Sequence, residues 1–523
     1  MEWWYAFKKK LTIMKKLSLI FLVFMSIITG INAQNVDDAL RYSQLFYNGT
    51  ARFNSMGGAF TALGGDLSTL SQNPAGIGVF RSSEFTITPQ LFHNKSTAGL
   101  FGNNSVDYLY DFNLAQAGLI VNFFNKNVEE GLVTLNFGYS FNRSNNYKQG
   151  IIMEGISQNS SLLDRWAESS SGWERDELKT KVMDAYLGWS TYLIDSLPGL
   201  TTEYGTIYSN YGDKTSSNYG QNMKRITTTT GFSGEHSISV GGNYSNKIFF
   251  GATLGVTRIN FESKYNHIET ATSILPSRYS WIGEGFTDFS YTYYYKNIGT
   301  GYSLKLGTIF RPTESLRIGV AFHTPTLYKM EEYINDNIST WFSDSSKPID
   351  AENDPSRFEY TLTTPFRALA GVALQIKKIG LISADYEYID YSTAKFAAIS
   401  GDDYDYTTKN QEIRNTLKPV SNLRFGAEVR LNSIYLRGGY GIYGKPYAAG
   451  DDNEDLFYNS VAAGIGFREQ NIFVDFGFSR ISNSQKNILY GPTNQLSGFE
   501  TVISNMDISK NMFTVTFGYK FTY

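Results

Sequence analysis

The C-terminal stretch MFTVTFGYKFTY, residues 512–523, alternates apolar and polar side chains without a break. Phenylalanine, valine and tyrosine occupy the odd positions from 513 to 523, and threonine, glycine and lysine occupy the even positions from 514 to 522. Because successive side chains of a strand point to opposite faces, this period of two gives one apolar and one polar face. We therefore predict an amphipathic strand that ends on an aromatic residue.

Similar stretches recur upstream, and with the last one they number fourteen. The predicted strands cover residues 84–92, 114–124, 132–141, 236–244, 247–261, 302–310, 316–322, 366–376, 380–391, 422–431, 433–443, 460–467, 471–479 and 512–523. Fourteen such strands could form soluble β-sandwiches or one membrane barrel. The amino-acid composition distinguishes between these two folds.

Aromatic residues make up 15% of the chain, with 37 Tyr and 37 Phe among 523 residues. Barrels use aromatic girdles at both membrane interfaces, and closure satisfies every backbone group within lipid. A mean hydropathy of -0.27 excludes a bundle of many membrane helices. We predict an all-β fold, a 14-stranded antiparallel transmembrane β-barrel over residues 83–523, in the outer membrane of a Gram-negative cell.

The N-terminus has the features of an export signal. Residues 17–29, LSLIFLVFMSIIT, form an apolar run that is too short to span a bilayer; Lys15 and Lys16 precede it and Ala33 follows it. Residues 1–33 are predicted to be a signal peptide, and Met14 is the expected start of translation. Removal of residues 1–33 leaves 41 basic and 48 acidic groups, which gives a net charge of -7.

This composition excludes several functional classes. No basic patch is present, so nucleic acid is not an expected partner. Cysteine is absent, which rules out disulfides and thiolate chemistry. The four histidines lack metal-ligand spacing, and no nucleophile, base and orienting group can be assigned. We therefore expect neither an enzyme nor a cofactor nor a metal site.

Two long connections differ from the short turns between the other strands. Residues about 145–232 contain a stretch in which Leu178, Val182, Ala185 and Tyr186 share a helical face. Residues about 329–358 are rich in Asp, Ser and Asn and are predicted to be a loop. Because bacterial barrels keep their periplasmic turns short, both connections are expected on the extracellular side, the first as a helical insertion.

The segment MGGAFTALGGDLSTLSQNPAGIGVF, residues 56–80, precedes the first predicted strand. Apolar residues recur in it at helical spacing, but Gly64 and Gly65 interrupt them and lower helix stability by about 1 kcal/mol each. It is not followed by the Lys-Ser/Thr of a nucleotide-binding loop. The segment is therefore predicted to be a short, bent, compact unit.

At these residues the chain resembles a known family, the outer-membrane long-chain fatty acid and hydrocarbon transporters related to FadL. The resemblance is carried by Ser55, Gly57-Gly58, Ala59-Phe60-Thr61, Asp66, Ser68 and Asn73-Pro74-Ala75-Gly76, and by the stretches at 319–326, 364–371 and 384–392. It implies that residues 34–82 fold inside the lumen as a hatch, or plug. Gly57, Gly58, Asn73, Pro74 and Ala75 are its expected gating residues, and a structural hinge without ligand contact is the alternative.

The resemblance also implies a passive mechanism. An apolar ligand is captured at the cell surface, moves into the lumen, displaces the hatch and leaves sideways at a kinked strand. Gly138 is the candidate for the kink, although a close-packing role explains a strand glycine equally well. Aromatic and aliphatic residues of the insertion are the candidates for capture, with a self-packing loop core as the alternative: Leu162, Leu163, Trp166, Trp173, Tyr186, Leu187, Trp189, Tyr192 and Leu193.

The predicted function is passive uptake of fatty acids or hydrocarbons by a monomer, whose expected partners are outer-membrane lipid and the barrel-assembly machinery. Two alternatives stay open: a shuttle or scaffold in protein secretion, as in some Bacteroidetes-type members of the family, and a porin for polar solutes. A carboxylate ligand requires a cation in the lumen. Four residues are candidates for it: Arg258, Lys305, Arg367 and Arg424.

Overall fold

Strands dominate the computed structural model, which describes residues 35–125, 128, 130–209, 218–276, 285–343, 347–401, 403–492 and 499–521. The predicted signal peptide and Met14 lie outside the described residues. In chain order the strands are β1 (Ser83–Leu100), β2 (Asn103–Asn125), β3 (Leu132–Asn146), β4 (Gln149–Ile156), β5 (Ile194–Ser196), β6 (Tyr204–Thr206), β7 (Asn222–Tyr244), β8 (Ile248–Pro276), β9 (Gly285–Phe310), β10 (Leu316–His323), β11 (Leu327–Phe342), β12 (Ile349–Glu352), β13 (Ser356–Thr363), β14 (Arg367–Ile376), β15 (Gly380–Asp390), β16 (Lys395–Ala398), β17 (Pro419–Leu431), β18 (Ile434–Tyr443), β19 (Tyr458–Glu469), β20 (Ile472–Tyr490) and β21 (Val502–Phe521).

Helices are few and short. They are α1 (Val36–Ser43), α2 (Ala51–Ser55), α3 (Leu162–Ser170), α4 (Leu178–Lys181), α5 (Met183–Ser190) and α6 (Thr407–Thr416), with 3₁₀ helices at Leu67–Ser71, Pro74–Val79 and Tyr391–Thr393. Within the described ranges, no helix has the length and apolar character to cross a bilayer.

The wall is a closed antiparallel barrel with fourteen strand positions. Ten positions hold one strand each, and four are divided in two, as β3/β4, β10/β11, β14/β13 and β15/β16. The last strand pairs with the first, from Glu84 opposite Lys520 to Gly99 opposite Asn505, which closes the sheet. Every predicted strand lies on its own position of this barrel, so the predicted 14-stranded antiparallel barrel is confirmed.

The alternation seen in the sequence separates an outer from an inner face. On β20, Ile472 and Phe476 are 57% and 52% exposed, whereas Phe473 and Asp475 are buried. The same outward apolar row continues around the wall, which gives the barrel a lipid-facing belt. Its members include Phe85, Leu91, Leu119, Phe137, Val240, Phe250, Leu306, Val320, Val372, Ile382, Phe425, Leu436, Ile465, Phe513 and Phe517.

The two ends of the barrel differ. At the short-turn end the connections are residues 126–131, 245–247, 311–315, 377–379, 432–433 and 470–471; β1 begins and β21 ends there. At the long-loop end the largest connection joins β4 to β7 and contains α3, α4 and α5. This asymmetry is the one expected of an outer-membrane barrel.

Residues 329–358 differ from the predicted loop. They belong mainly to β11, β12 and β13, which pair with one another and with β9. Similarly, β4 and the first half of β7 lie within the predicted insertion 145–232. These strands extend the wall past the apolar belt, where the outer face no longer meets lipid, so their sequences carry no continuous apolar outer row.

Replacing Phe476 on the lipid-facing belt with arginine should lower the free energy of unfolding by roughly 2–4 kcal/mol, the cost of a cation near the bilayer midplane. The measurement is urea-induced unfolding of the barrel in liposomes, followed by tryptophan fluorescence. The control is Asn505→Arg on the neighbouring β21, an exposed position above the belt, which should have little effect. Equal losses for the two variants would contradict the position of the belt.

Candidate functional site

The N-terminal segment, residues 35–82, runs through the barrel from the long-loop end to the short-turn end. Near its beginning, Asp37 accepts a 2.7 Å hydrogen bond from Tyr447 in the connection between β18 and β19. Near its end, the backbone of Pro74 lies against Gly251, a few residues from the turn between β7 and β8. Most of its side chains from 49 to 80 are buried.

Short polar side chains fold this segment into a series of capped turns. Asn35 caps α1 by accepting from the Asp38 amide at 2.9 Å, and Thr50 caps α2 by accepting from the Phe53 amide at 3.1 Å. Asp66 and Asn73 do the same for the two 3₁₀ helices. Because each turn satisfies its own first amides, the segment stays compact without a long helix.

Wall glycines let the backbone of the segment approach the backbone of the barrel. A Cβ atom added at Gly251 would overlap the Pro74 carbonyl, and one added at Gly439 would overlap the Gly57 amide. Eleven glycines, each on a different strand position, face the backbone or the side chains of the segment, and we call them the glycine ring. They are Gly118, Gly138, Gly241, Gly251, Gly307, Gly319, Gly371, Gly426, Gly439, Gly464 and Gly477.

The five predicted gating residues all lie in contact with this ring or with its neighbours. Gly57 and Gly58 have φ values of +62° and +70°, which only glycine adopts without strain. Asn73 accepts from the Ala75 amide at 3.1 Å and donates to the Thr61 carbonyl at 2.6 Å, and its amide overlaps any Cβ at Gly307. Pro74 and Ala75 are buried in the second 3₁₀ helix.

Polar contacts add to this packing. Asp385 on β15 accepts from the amide and the hydroxyl of Thr61, at 2.9 and 2.7 Å. Arg52 donates to Glu428 on β17 at 2.9 Å, and the Ala51 amide donates to a threonine hydroxyl of β21 at 2.7 Å. The lower part of the segment is therefore held on several sides of the wall by both close packing and buried hydrogen bonds.

The four cations considered for carboxylate binding lie in different surroundings. Arg367 and Arg424 both donate to Glu387 at 2.6 Å, and Lys305 donates to Glu235 at 2.6 Å. Arg258 is exposed. Three of the four are thus already paired with glutamates of the wall. In the described part of the chain, no three His, Asp or Glu side chains converge as a metal site.

The predicted capture residues belong to a cap formed by the connection between β4 and β7. Leu162, Leu163, Trp166, Leu187 and Leu193 are buried in an apolar cluster that also includes Phe289 and Tyr291 of the wall; Trp173, Tyr186, Trp189 and Tyr192 are half-buried at its edge. The buried members pack as a loop core. The half-buried members are the ones that an incoming molecule can touch.

One buried carboxylate anchors the cap to the wall. Glu269 on β8 accepts from the Ser161 hydroxyl at 2.6 Å and from the Leu162 amide at 2.9 Å, at the beginning of α3. His267 and Arg225 continue this chain of contacts on the wall. No pattern in the sequence predicts this anchor, because the cap residues and the wall residues that form it are far apart in the chain.

A gap in the hydrogen-bond ladder of the wall lies between β2 and β3. The two strands pair only from Gln116 opposite Asn142 to Asn125 opposite Thr134, and β4, which continues the third position after Tyr147 and Lys148, pairs with β7 alone. Among the described residues, the part of β2 from 103 to 115 therefore forms a ladder with β1 only. Gly138, the predicted kink, lies below the gap in ladders that are continuous on both sides.

Side chains bridge this gap in place of a ladder. Asn146 donates to Asp111 at 3.0 Å, Lys148 lies 3.4 Å from the same carboxylate, and Arg143 donates to the Leu114 carbonyl at 3.2 Å. On the outer face beside the gap, Phe112 is 76% exposed. No pattern in the sequence predicts this break in the ladder, because it depends on which strands pair.

The carboxyl group of Asp164 in α3 should make the cap sensitive to pH. Burial, helped by the charge of Glu269, raises its pKa to about 7 despite hydrogen bonds from Tyr219 and from the Ser161 amide. Since the folded cap binds this proton more tightly than an unperturbed Asp of pKa about 4, cap stability falls as pH rises from about 4 to about 7, by up to about 4 kcal/mol. The loss of stability is measured by thermal unfolding at different pH values, with the fluorescence of the cap tryptophans as the signal.

The Asp164→Asn variant should lose most of this pH dependence. Asp176, an exposed residue of the same cap, supplies the control as Asp176→Asn, which should keep it. A steep pH profile that persists in Asp164→Asn would assign the effect to another group.

The glycine ring can be tested at two adjacent positions of β18. Gly439→Ala places a methyl group on the backbone of Gly57 and should destabilise the packed segment by about 1–3 kcal/mol. Gly438→Ala points to open space and should be nearly neutral. The readout is the rate at which a protease cleaves the N-terminal segment in the detergent-solubilised barrel; equal rates in both variants would contradict close packing at Gly439.

Known proteins share this architecture at low sequence identity. No protein-family model and no curated protein sequence matches the chain. A crystal structure of a Pseudomonas aeruginosa FadL homologue superposes with a TM-score of 0.56 at 11% identity, over 91% of this chain and 99% of the other. The toluene transporter TodX of P. putida superposes with a TM-score of 0.51 at 12% identity, over 91% of this chain and 100% of the other. The chain therefore has the FadL-type fold, a 14-stranded barrel of the outer-membrane class.

Proposed function

We propose that this protein is an outer-membrane channel for the passive uptake of hydrophobic molecules, either long-chain fatty acids or hydrocarbons. The observation that carries the proposal is the gap between β2 and β3, where the ladder of the wall is interrupted above the level that the N-terminal segment fills. TodX is described as a toluene transporter, and a shared fold makes apolar cargo the starting hypothesis.

The gap favours apolar cargo because of where it lies. Its lower limit, at Gln116 and Asn142, lies four residues along β2 from Phe112, which faces Leu91 of the lipid-facing belt. A molecule that leaves the lumen there passes the polar bridge at Asp111 and then enters the hydrocarbon region directly. Half-buried Trp173 and Trp189 of the cap are the proposed first contacts at the other end of this route.

The proposed hatch movement concerns mainly the first part of the N-terminal segment. Residues 51–80 fit the glycine ring too closely for small displacements, whereas residues 44–48 are half-buried and connect them to α1. Helix α1 lies within an aromatic cluster that includes Phe261 and Tyr295. An apolar ligand that displaces α1 contacts these aromatic side chains in its place and then lies close to the gap.

A porin for polar solutes fits these observations less well. A porin needs an open aqueous path along the barrel axis, whereas here eleven strand positions contact the segment directly. A lateral exit into lipid does not help a polar solute, because the solute loses its hydrogen bonds to water when it enters the hydrocarbon region.

Linking β2 to β3 across the gap should abolish uptake. The chain has no cysteine, so Asp111→Cys/Asn146→Cys can be joined selectively with a short, reducible thiol crosslinker. Uptake of a radiolabelled long-chain fatty acid and of toluene into cells is measured before crosslinking, after crosslinking and after reduction. We expect loss of uptake on crosslinking and recovery on reduction.

The matched control is Ser482→Cys/Ser509→Cys, which joins two strands that are already paired. Its uptake should not change on crosslinking. Undiminished uptake by the linked 111/146 variant would contradict a lateral route through this gap.

A further inference from the structure

We propose that the outer face of the barrel binds the phosphate group of an outer-leaflet lipid, in a polar groove that Lys95 and Arg480 share. The groove has a volume of about 230 Å³ and is formed by β1, β21, β20 and the beginning of β19. It lies on the outer surface of the wall, not in the lumen. The site does not depend on the proposed uptake function, so each can fail without the other.

The strand register places both cations on the outer face. Lys95 lies on β1 in the outward row that contains Leu91, which is 42% exposed. Arg480 lies on β20 in the outward row that contains Phe476. Ser509 of β21 pairs directly with Lys95, and β21 pairs with β20 on its other side. The two cations therefore line the groove from opposite sides of β21, across the strand that closes the barrel.

The groove lies directly above the lipid-facing belt. On these three strands the belt ends with Leu91, Phe513 and Phe478, which lie side by side in the ladders. Arg480 is two residues and Lys95 four residues farther toward the long-loop end. With a rise of about 3.4 Å per residue and a strand tilt of about 40°, they lie about 5 Å and about 10 Å above that row. This is the layer of lipid phosphates, because the head-group region extends roughly 5–8 Å beyond the hydrocarbon core.

The protein itself does not neutralise these two cations. No carboxylate of the described residues lies within ion-pair distance of Lys95 or Arg480, and Arg480 is exposed. Elsewhere above the belt, outward cations such as Lys329 have a carboxylate beside them; its Nζ lies 3.0 Å from Glu359. Two cations on one groove attract an anion, and at the membrane surface each contributes to binding an acidic lipid.

A carboxylate at the upper end of the groove limits where an anion can bind. Asp507 lies opposite Thr97, two residues farther from the belt than Ser509, and it accepts a hydrogen bond from the Ser484 hydroxyl. Its charge repels an anion from that end. The lower end, nearer to the belt, combines the two cations with the hydroxyl of Ser509, which can donate a further hydrogen bond.

These donors match a phosphate group. It carries up to two charges and three terminal oxygens, so a guanidinium, an ammonium and a hydroxyl can bind it together. The Nζ of Lys95 lies over the ring of Tyr108, 5.8 Å from its centroid, and this contact holds the ammonium beside the groove.

The surroundings of the groove favour a lipid over a free phosphate ion. Phe457, which is 45% exposed, gives the groove an apolar side against which the body of a lipid can pack. A lipid is also held at this height by its acyl chains, which lie against the belt. A free ion has neither contact, and exposed cations in water bind such an ion weakly.

The test measures the binding of lipid A, a phosphorylated glycolipid of the outer leaflet, to the purified full-length barrel. Phosphorylated and dephosphorylated lipid A are titrated separately in a non-ionic detergent, and the bound fraction is read by native mass spectrometry. We expect the wild type to bind the phosphorylated form about tenfold more tightly, the ratio that one charge-assisted hydrogen bond supplies. Lys95→Met/Arg480→Met should lose this preference, and Lys95→Arg should keep it.

The matched control is Arg258→Met. Arg258 is an exposed cation of the outer face of β8, two residues above Val256, but it does not line the groove. Its variant should keep the wild-type preference. Equal binding of the two lipid A forms by the wild type, an unchanged preference in Lys95→Met/Arg480→Met, or an equal loss in Arg258→Met would overturn the site.

A competition experiment separates the lipid from the free ion. Inorganic phosphate at millimolar concentration is added to the wild-type barrel with phosphorylated lipid A bound. We expect the lipid to stay bound, because its acyl chains and head group contribute together. Displacement of the lipid by inorganic phosphate would overturn the assignment of the groove to a lipid.

Discussion

Every backbone amide that faces lipid needs a hydrogen-bond partner within the wall, and this requirement governs the rest of the structure. The pairing of β1 with β21 meets it by leaving no edge, and most strand positions meet it along their whole length. The gap between β2 and β3 departs from it. There Arg143, Asn146 and Lys148 supply side-chain contacts where a ladder is missing. A part of the wall that side-chain contacts hold together is easier to open than a part held together by a backbone hydrogen-bond ladder.

Charge inside the barrel follows a second rule. Arginine and lysine side chains of the wall are buried 2.6–2.7 Å from the carboxylates of Glu387, Glu235 and Glu428. Paired in this way they join neighbouring strands and leave little net charge in the lumen.

Sequence periodicity predicted the barrel well within the membrane and poorly above it. The fourteen stretches were recognisable because one face had to be apolar, as in residues 472–478. The upper half of β7 and nearly all of β11 have no apolar outer face, and the sequence analysis did not predict them as strands. The motif residues Gly57, Asn73 and Pro74 could be selected from turn chemistry and from a family resemblance. Their eleven glycine partners in the wall could not be selected from the sequence, because the role of a glycine in a strand depends on which residue packs against it.

The glycine ring has a consequence for how the protein assembles. A finished barrel would leave little clearance through which residues 51–80 could thread, because their backbone or side chains touch wall glycines at eleven strand positions. We therefore expect the segment to be enclosed while the sheet is still open. Closure of the seam between β1 and β21 is then expected to follow, around a segment whose width the wall has to fit.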